Sequence, residues 1–74
     1  MKLCNMKNGS KCKIVSVKGD LSFQTRITSV GVLPGSEIEI VQNSGKRPLL
    51  VYVKNTLLAL GRKQCDFIEV EELS

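Results

Sequence analysis

The sequence predicts a small, mostly β domain: a partly open barrel of about five short strands, with one short helix after the first strand. Three observations predict it. The run from Arg26 to Ile40 reads as the end of a helix, a glycine stop, a Pro-Gly turn and an alternating strand. Lys54-Asn55 is a two-residue connection between two apolar runs, the signal of a tight hairpin. The 74 residues leave room for one small core, so residues 1–74 are expected to form a single domain.

Taken in order, Met1 to Lys7 is a lead-in segment that anchors through Leu3 and Met6 and lies across one opening of the fold. Asn8-Gly9-Ser10 is a turn. Lys11 to Lys18 is the first strand, and its pattern slips: Cys12 and Ile14 share one face, Val15 and Val17 the other. A bulge produces such a slip, as does a strand buried on both faces. Asp20 is placed to cap a helix beginning at Leu21. Phe23, Ile27 and Val30 give that helix one apolar face. It is too short to stand alone and needs packing to hold it.

Gly31 follows the last apolar helical position, where a left-handed residue is wanted. Pro34 suits the first central position of a type II turn, and Gly35 the second, with its positive φ. These three glycine and proline positions form a structural turn signature. Ser36 to Gln42 is the second strand, with Ile38 and Ile40 inward and Glu37 and Glu39 outward. Asn43 to Lys46 is a loop. Pro48 to Val53 is the third strand, since proline is tolerated at a first strand position. Thr56 to Leu60 is the fourth. Gly61 to Asp66 is a turn or a single helical turn, and Phe67 to Val70 is the closing strand, with Phe67 assigned to the core beside Phe23.

The two-residue hairpin sets a register. Val53 should face Thr56, Tyr52 face Leu57, Val51 face Leu58 and Leu50 face Ala59. One face then carries Leu49, Val51, Val53, Leu58 and Leu60. The other carries Leu50, Tyr52, Leu57 and Ala59, and both are apolar. A barrel hairpin normally shows water one polar face. The second face therefore calls for a cover: the helix, the lead-in segment, a partner or a second copy. SH3-like and OB-like barrels both accommodate this element order.

Composition excludes several classes. No apolar run approaches the ~20 residues of a membrane-spanning helix. Met1 to Gly9 lacks the apolar stretch of a signal peptide, so a cytoplasmic location without membrane insertion is expected. The 3 cysteines, Cys4, Cys12 and Cys65, are odd in number and dispersed, and there are 0 histidines. They read as small buried or half-exposed thiols in a reducing compartment. No Gly-rich phosphate loop is present; Asn43-Ser-Gly-Lys46 lacks the second glycine and the hydroxyl. Enzymatic activity is not expected, and no cofactor is implied. Glu69, Glu71 and Glu72 could offer oxygens to iron, yet a terminal acidic run is usually a solvated face.

At Arg26-Ile27 and Gly31-x-x-Pro34-Gly35-x-x-Ile38 the sequence resembles the FeoA family. The resemblance extends over nearly the whole chain: Leu3 and Gly9, the strand around Ile14, Leu58-Ala59-Leu60 and the closing Ile68-x-Val70 fall in the family's order and spacing. It departs in two places. Asn55 stands where a glycine is common, which the turn allows, and Gly61 where a charged residue is frequent. The resemblance implies an SH3-like barrel, of the stand-alone kind because no helix-turn-helix precedes it. It also implies a cytoplasmic accessory protein of bacterial ferrous iron uptake. Its partner would be the FeoB-type membrane transporter, whose assembly or GTPase cycle it would modulate.

On that reading Leu50, Tyr52 and Leu57 form the partner-binding patch, with Arg26 and Lys18 as its charged rim. Arg26 could also act as an arginine finger on a GTPase, although a helix-surface arginine is more often held in a local ion pair. The alternative function is a small basic barrel that binds nucleic acid or another protein in transcriptional or metal-dependent regulation. The net charge of +4 allows it. The scarcity of aromatics argues against a base-stacking groove, and also against the aromatic groove that takes Pro-rich peptides.

Overall fold

Local chemistry sets each turn of the fold, in the computed structural model that describes residues 1–73. Leu3–Asn5 forms a 3-10 turn, followed by strands β1 (Lys11–Val17), β2 (Glu37–Gln42), β3 (Leu49–Val53), β4 (Thr56–Leu60) and β5 (Ile68–Leu73). Helix α1 (Leu21–Ser29) lies between β1 and β2, and a single turn, α2 (Arg62–Cys65), between β4 and β5. The strands are antiparallel in the order β4-β3-β2-β1-β5. This is the SH3-like arrangement expected, with one helix after the first strand.

Asp20 caps α1 by accepting from the Phe23 N–H at 2.8 Å. Asp20→Ala is expected to cost about 1 kcal/mol and to lower the melting temperature by ~4–8 °C in a domain of this size. A far-UV circular dichroism melt checks this. At the other end Gly31, at φ 103°, donates to Thr28 O at 3.0 Å, and Val32 donates to Ile27 O at 3.2 Å. These are the two bonds of a Schellman motif. Ser36 then donates to Leu33 O at 2.9 Å across Pro34-Gly35, with Gly35 at φ 93°, closing the turn that sends the chain into β2.

That stop corrects one inward residue. Val30 is the C-cap, outside the helical ladder, and is 37% exposed. The left-handed step at Gly31 turns the chain back, and Val32 enters the core in its place, fully buried. The rest of the core comes from alternate strand positions, including Cys12, Ile14, Ile38, Ile40, Leu49, Val51 and Val53, and from Leu3 and Met6 of the lead-in. The lead-in is held beneath the β2–β3 loop. Asn43 Nδ2 donates to Cys4 O at 3.0 Å and to Met6 O at 2.6 Å, while Asn8 Oδ1 accepts from Asn43 N at 2.6 Å.

The slip in the first strand is a bulge: β1 changes register against β5 between Ile14 and Ser16. Val15 therefore faces solvent. A second bulge, between Ile40 and Gln42 of β2, turns Val41 outward. The closing strand is longer than its apolar pattern suggests and runs to Leu73. Its glutamates meet the lysines at the start of β1: Lys13 stands between Glu37 of β2 and Glu71 of β5. Opposite charges across a ladder favour pairing, so the acidic run extends the strand.

Phe67 is also corrected. It precedes β5 and is 42% exposed, not buried. Its ring lies 5.6 Å from that of Phe23, tilted by 58°, so it covers the core from the rim.

Candidate functional site

The hairpin forms in the register the turn dictates. Leu50 pairs with Ala59, Val51 with Leu58, Tyr52 with Leu57 and Val53 with Thr56. Lys54 and Asn55 both have positive φ, 48° and 63°, the signature of a type I′ turn. Leu49, Val51, Val53 and Leu60 are buried, and Leu58 is half-buried against the core. On the other face no described residue supplies the cover. Tyr52 is 43% exposed and Leu57 58%, Ala59 is exposed, and Leu50 is half-buried.

The outer face of the sheet is thus divided. Over β1, β2 and β5 it carries Lys11, Lys13, Glu37, Glu39 and Glu71, paired by sign. Over β3 and β4 it carries the apolar patch. Glu39 sits directly between Lys11 and Tyr52, so it marks the boundary. A shallow hollow of about 240 Å³ opens there, lined by Lys11, Glu37, Glu39, Tyr52, Lys54 and Asn55.

Of Arg26 and Lys18, only Arg26 lines a groove beside the hairpin. Arg26 projects from α1 into a trough of about 310 Å³ against Leu58, Ala59 and Leu60 of β4, with Ile27 and Val30 on its own side. The trough continues past Arg26 and Gln64 to Phe23 and Phe67. Arg26 makes no ion pair among the described residues. Lys18 stands at the other end of the strand order, where its N–H donates to Phe67 O at 2.7 Å. Its charge helps to hold the Glu69 carboxyl below the usual range, after the larger effect of the Met1 ammonium, 2.9 Å away. The structure therefore joins Arg26 to the edge of the hairpin and separates Lys18 from it. The exposed ring of Phe67 and the polar arm of Gln64 belong to the trough and escaped the sequence reading.

Cys12 and Cys65 are buried, and Cys4 is half-buried. Burial pushes the Cys12 and Cys65 thiols up to about 11, Glu72 adding to the first and Cys4 to the second. Cys4, half-buried, is raised by burial and then by Asp66, whose Oδ1 accepts from its Sγ at 3.0 Å. With iodoacetamide at pH 8, Cys4 is expected to alkylate first, and Cys12 and Cys65 only on unfolding; peptide mass mapping reads the order. Among the described residues, no three His, Cys, Asp or Glu side chains gather as a metal site. None of their helices is long and apolar enough to cross a membrane.

Fold and surface together define an SH3-like barrel whose hairpin presents an uncovered apolar face. The chain belongs to the FeoA family: the FeoA domain profile matches residues 1–72. A crystal structure of an iron uptake regulatory protein, FeoA, superposes with a TM-score of 0.92 at 23% identity, covering 99% of this chain and 97% of that one. At that identity the likeness speaks for the fold alone. Iron(II) transport protein A from Clostridium thermocellum is 30% identical, with a TM-score of 0.91, over 99% of this chain and 46% of that one. FeoA of Stenotrophomonas maltophilia, solved with zinc, is 25% identical with a TM-score of 0.84, over 96% and 89% of the two chains. It is described as a prokaryotic SH3 domain protein with a suggested role as a ferrous iron transport activating factor. No curated protein sequence is a significant match.

Proposed function

We propose that this chain is a non-enzymatic accessory protein of ferrous iron uptake, acting in the cytoplasm by docking on an FeoB-type membrane transporter. The observation that carries the reading is the uncovered apolar face of the hairpin on a barrel of the FeoA family. Exposed contiguous apolar surface on a small soluble fold marks an interaction site. Leu50, Tyr52 and Leu57 are its anchor, and a tyrosine among aliphatic neighbours is the residue type that dominates binding energy at interfaces. The ferrous-iron roles named for the Clostridium and Stenotrophomonas relatives point to the same process.

The mechanism is contact. The partner's apolar surface would sit over Tyr52 and Leu57, and the paired charges of β1 and β2 would limit the contact on one side. Calorimetric titration of the transporter's soluble cytoplasmic part at low salt tests this. Saturable binding at micromolar concentration is expected, and its absence would sink the proposal. Arg26, unpaired in the trough, favours a second reading in which docking alters GTP hydrolysis. A hydrolysis rate unmoved by saturating wild-type protein removes that reading and leaves docking intact.

A further inference from the structure

The strand order leaves two sheet edges, β4 and β5, and the chain treats them differently. The β5 edge is covered at Glu69 and Val70 by the start of the chain. Val70 N–H donates to Met1 O at 2.7 Å, Lys2 bridges to Glu69, and the Met1 ammonium pairs with the Glu69 carboxylate. The β4 edge has no such cover. In a two-residue hairpin the residues flanking the turn exchange both hydrogen bonds, and the pattern alternates from there. Thr56, Leu58 and Leu60 therefore bond to β3, while the N–H and C=O groups of Leu57 and Ala59 point away from the sheet. Neither residue has a backbone partner elsewhere among the described residues.

Native edge strands are normally blunted by a lysine, a proline or a bulge. β4 reads Thr-Leu-Leu-Ala-Leu and has none of these. The bare edge opens on the trough where Arg26 lies. We propose that β4 accepts an extended segment of the partner as a sixth strand, an apolar strand with acidic residues at both ends. This deepens the docking proposal above and rests on it. Main-chain bonds from Leu57 and Ala59 would hold the strand, and its side chains would extend the Tyr52–Leu57 face.

Charge selects this occupant over a second copy. The β4 edge is bracketed by Lys54 at the hairpin and by Arg62 and Lys63 beyond Leu60, with Arg26 alongside. Among the described residues, Arg62 Nε and Nη2 are shielded from water with no hydrogen-bond partner, and no carboxylate forms an ion pair with Arg62. If two copies paired β4 with β4 about Leu58, with Leu57 opposite Ala59, Lys54 of each would face Arg62 of the other. Like charges opposed across strands destabilise pairing, and each chain carries a net +4. A strand with carboxylates at the spacing of Lys54 and Arg62 turns that repulsion into attraction.

Ala59→Pro is the decisive variant. It removes an outward N–H but none from the β3 ladder, a site where an edge strand tolerates proline. It is expected to keep the wild-type spectrum and lose at least tenfold in affinity for the transporter's soluble part. Amide exchange at Leu57 and Ala59 should slow in the wild-type complex, while Leu58 stays as protected as before. Equal binding by wild type and Ala59→Pro, or unchanged exchange at both amides, would overturn strand addition and leave docking standing. Should the transporter part not bind at all, an acetylated peptide of alternating valine and threonine with two glutamates at each end is the probe. Slowing at Leu57 and Ala59 with that peptide, and not with its lysine-ended counterpart, upholds the edge site; no slowing removes it. Protection that grows with protein concentration in the absence of any partner would mean self-pairing and would also overturn it.

Discussion

Tyr52→Asp should weaken binding to the transporter's soluble cytoplasmic part by about 2–4 kcal/mol, a loss of roughly 30- to 1000-fold. The ring lies on the outer face opposite Leu57, within the apolar stretch that β3 and β4 share. Aspartate would place a charge where the partner must be desolvated. It would also set a carboxylate against Glu39, its pairing neighbour on β2. Tyr52→Thr separates the two effects: it removes the ring without the charge and keeps a good strand former. If the loss comes from apolar contact, both variants bind weakly. If threonine restores wild-type affinity, the aspartate acted through repulsion and Tyr52 is not an anchor. Because the position is exposed, the threonine variant should change stability by no more than ~0.5 kcal/mol. Calorimetry and a thermal melt on the same samples read both quantities.

The second large effect concerns the core. Ile40 is fully buried in the central strand β2, facing the hairpin through Val51. Its backbone also ties down the lead-in: its carbonyl accepts from Gly9 N at 2.7 Å, and its N–H donates to Ser10 O at 2.8 Å. Ile40→Ala leaves a cavity in the core and is expected to cost ~2–5 kcal/mol. A domain of this length sits at the low end of the ~5–15 kcal/mol usual for folded proteins. A large part of its stability would go, and urea denaturation should show the midpoint falling while the slope stays constant. A midpoint within experimental scatter of wild type would mean that the core repacks around position 40.

What could be read from the residues was local. The type I′ turn at Lys54-Asn55 fixes four facing pairs by counting, so the apolar face of Leu50, Tyr52 and Leu57 follows without coordinates. Asp20, Gly31 and Pro34-Gly35 act within a few residues of themselves and could be placed for the same reason. The sequence did not say whether the second hairpin face is covered, because that depends on where α1 and the lead-in come to rest. The extension of β5 to Leu73 depends on lysines some sixty positions earlier, and an acidic end looks the same whether paired or free. Phe67 precedes β5 and lies against Phe23 from the rim, a placement that depends on where the strand begins. Arg26 and Lys18 are both basic and near in sequence, yet of the two only Arg26 lines the trough along β4.

The pairing of Met1 and Lys2 along β5 sets the valency of the domain. With that edge occupied, strand pairing has a single direction in which to grow, and any assembly built on it stops at one addition. A residue fused ahead of Met1 would turn the ammonium into a neutral amide and remove its 2.9 Å pair with Glu69. That would loosen one of the contacts that keep the second edge closed. A unit with two open edges of unlike character, basic at β4 and acidic at β5, joins head to tail and has no geometric reason to stop. Met1 and Lys2 thus cap the β5 side of the sheet at Glu69 and Val70.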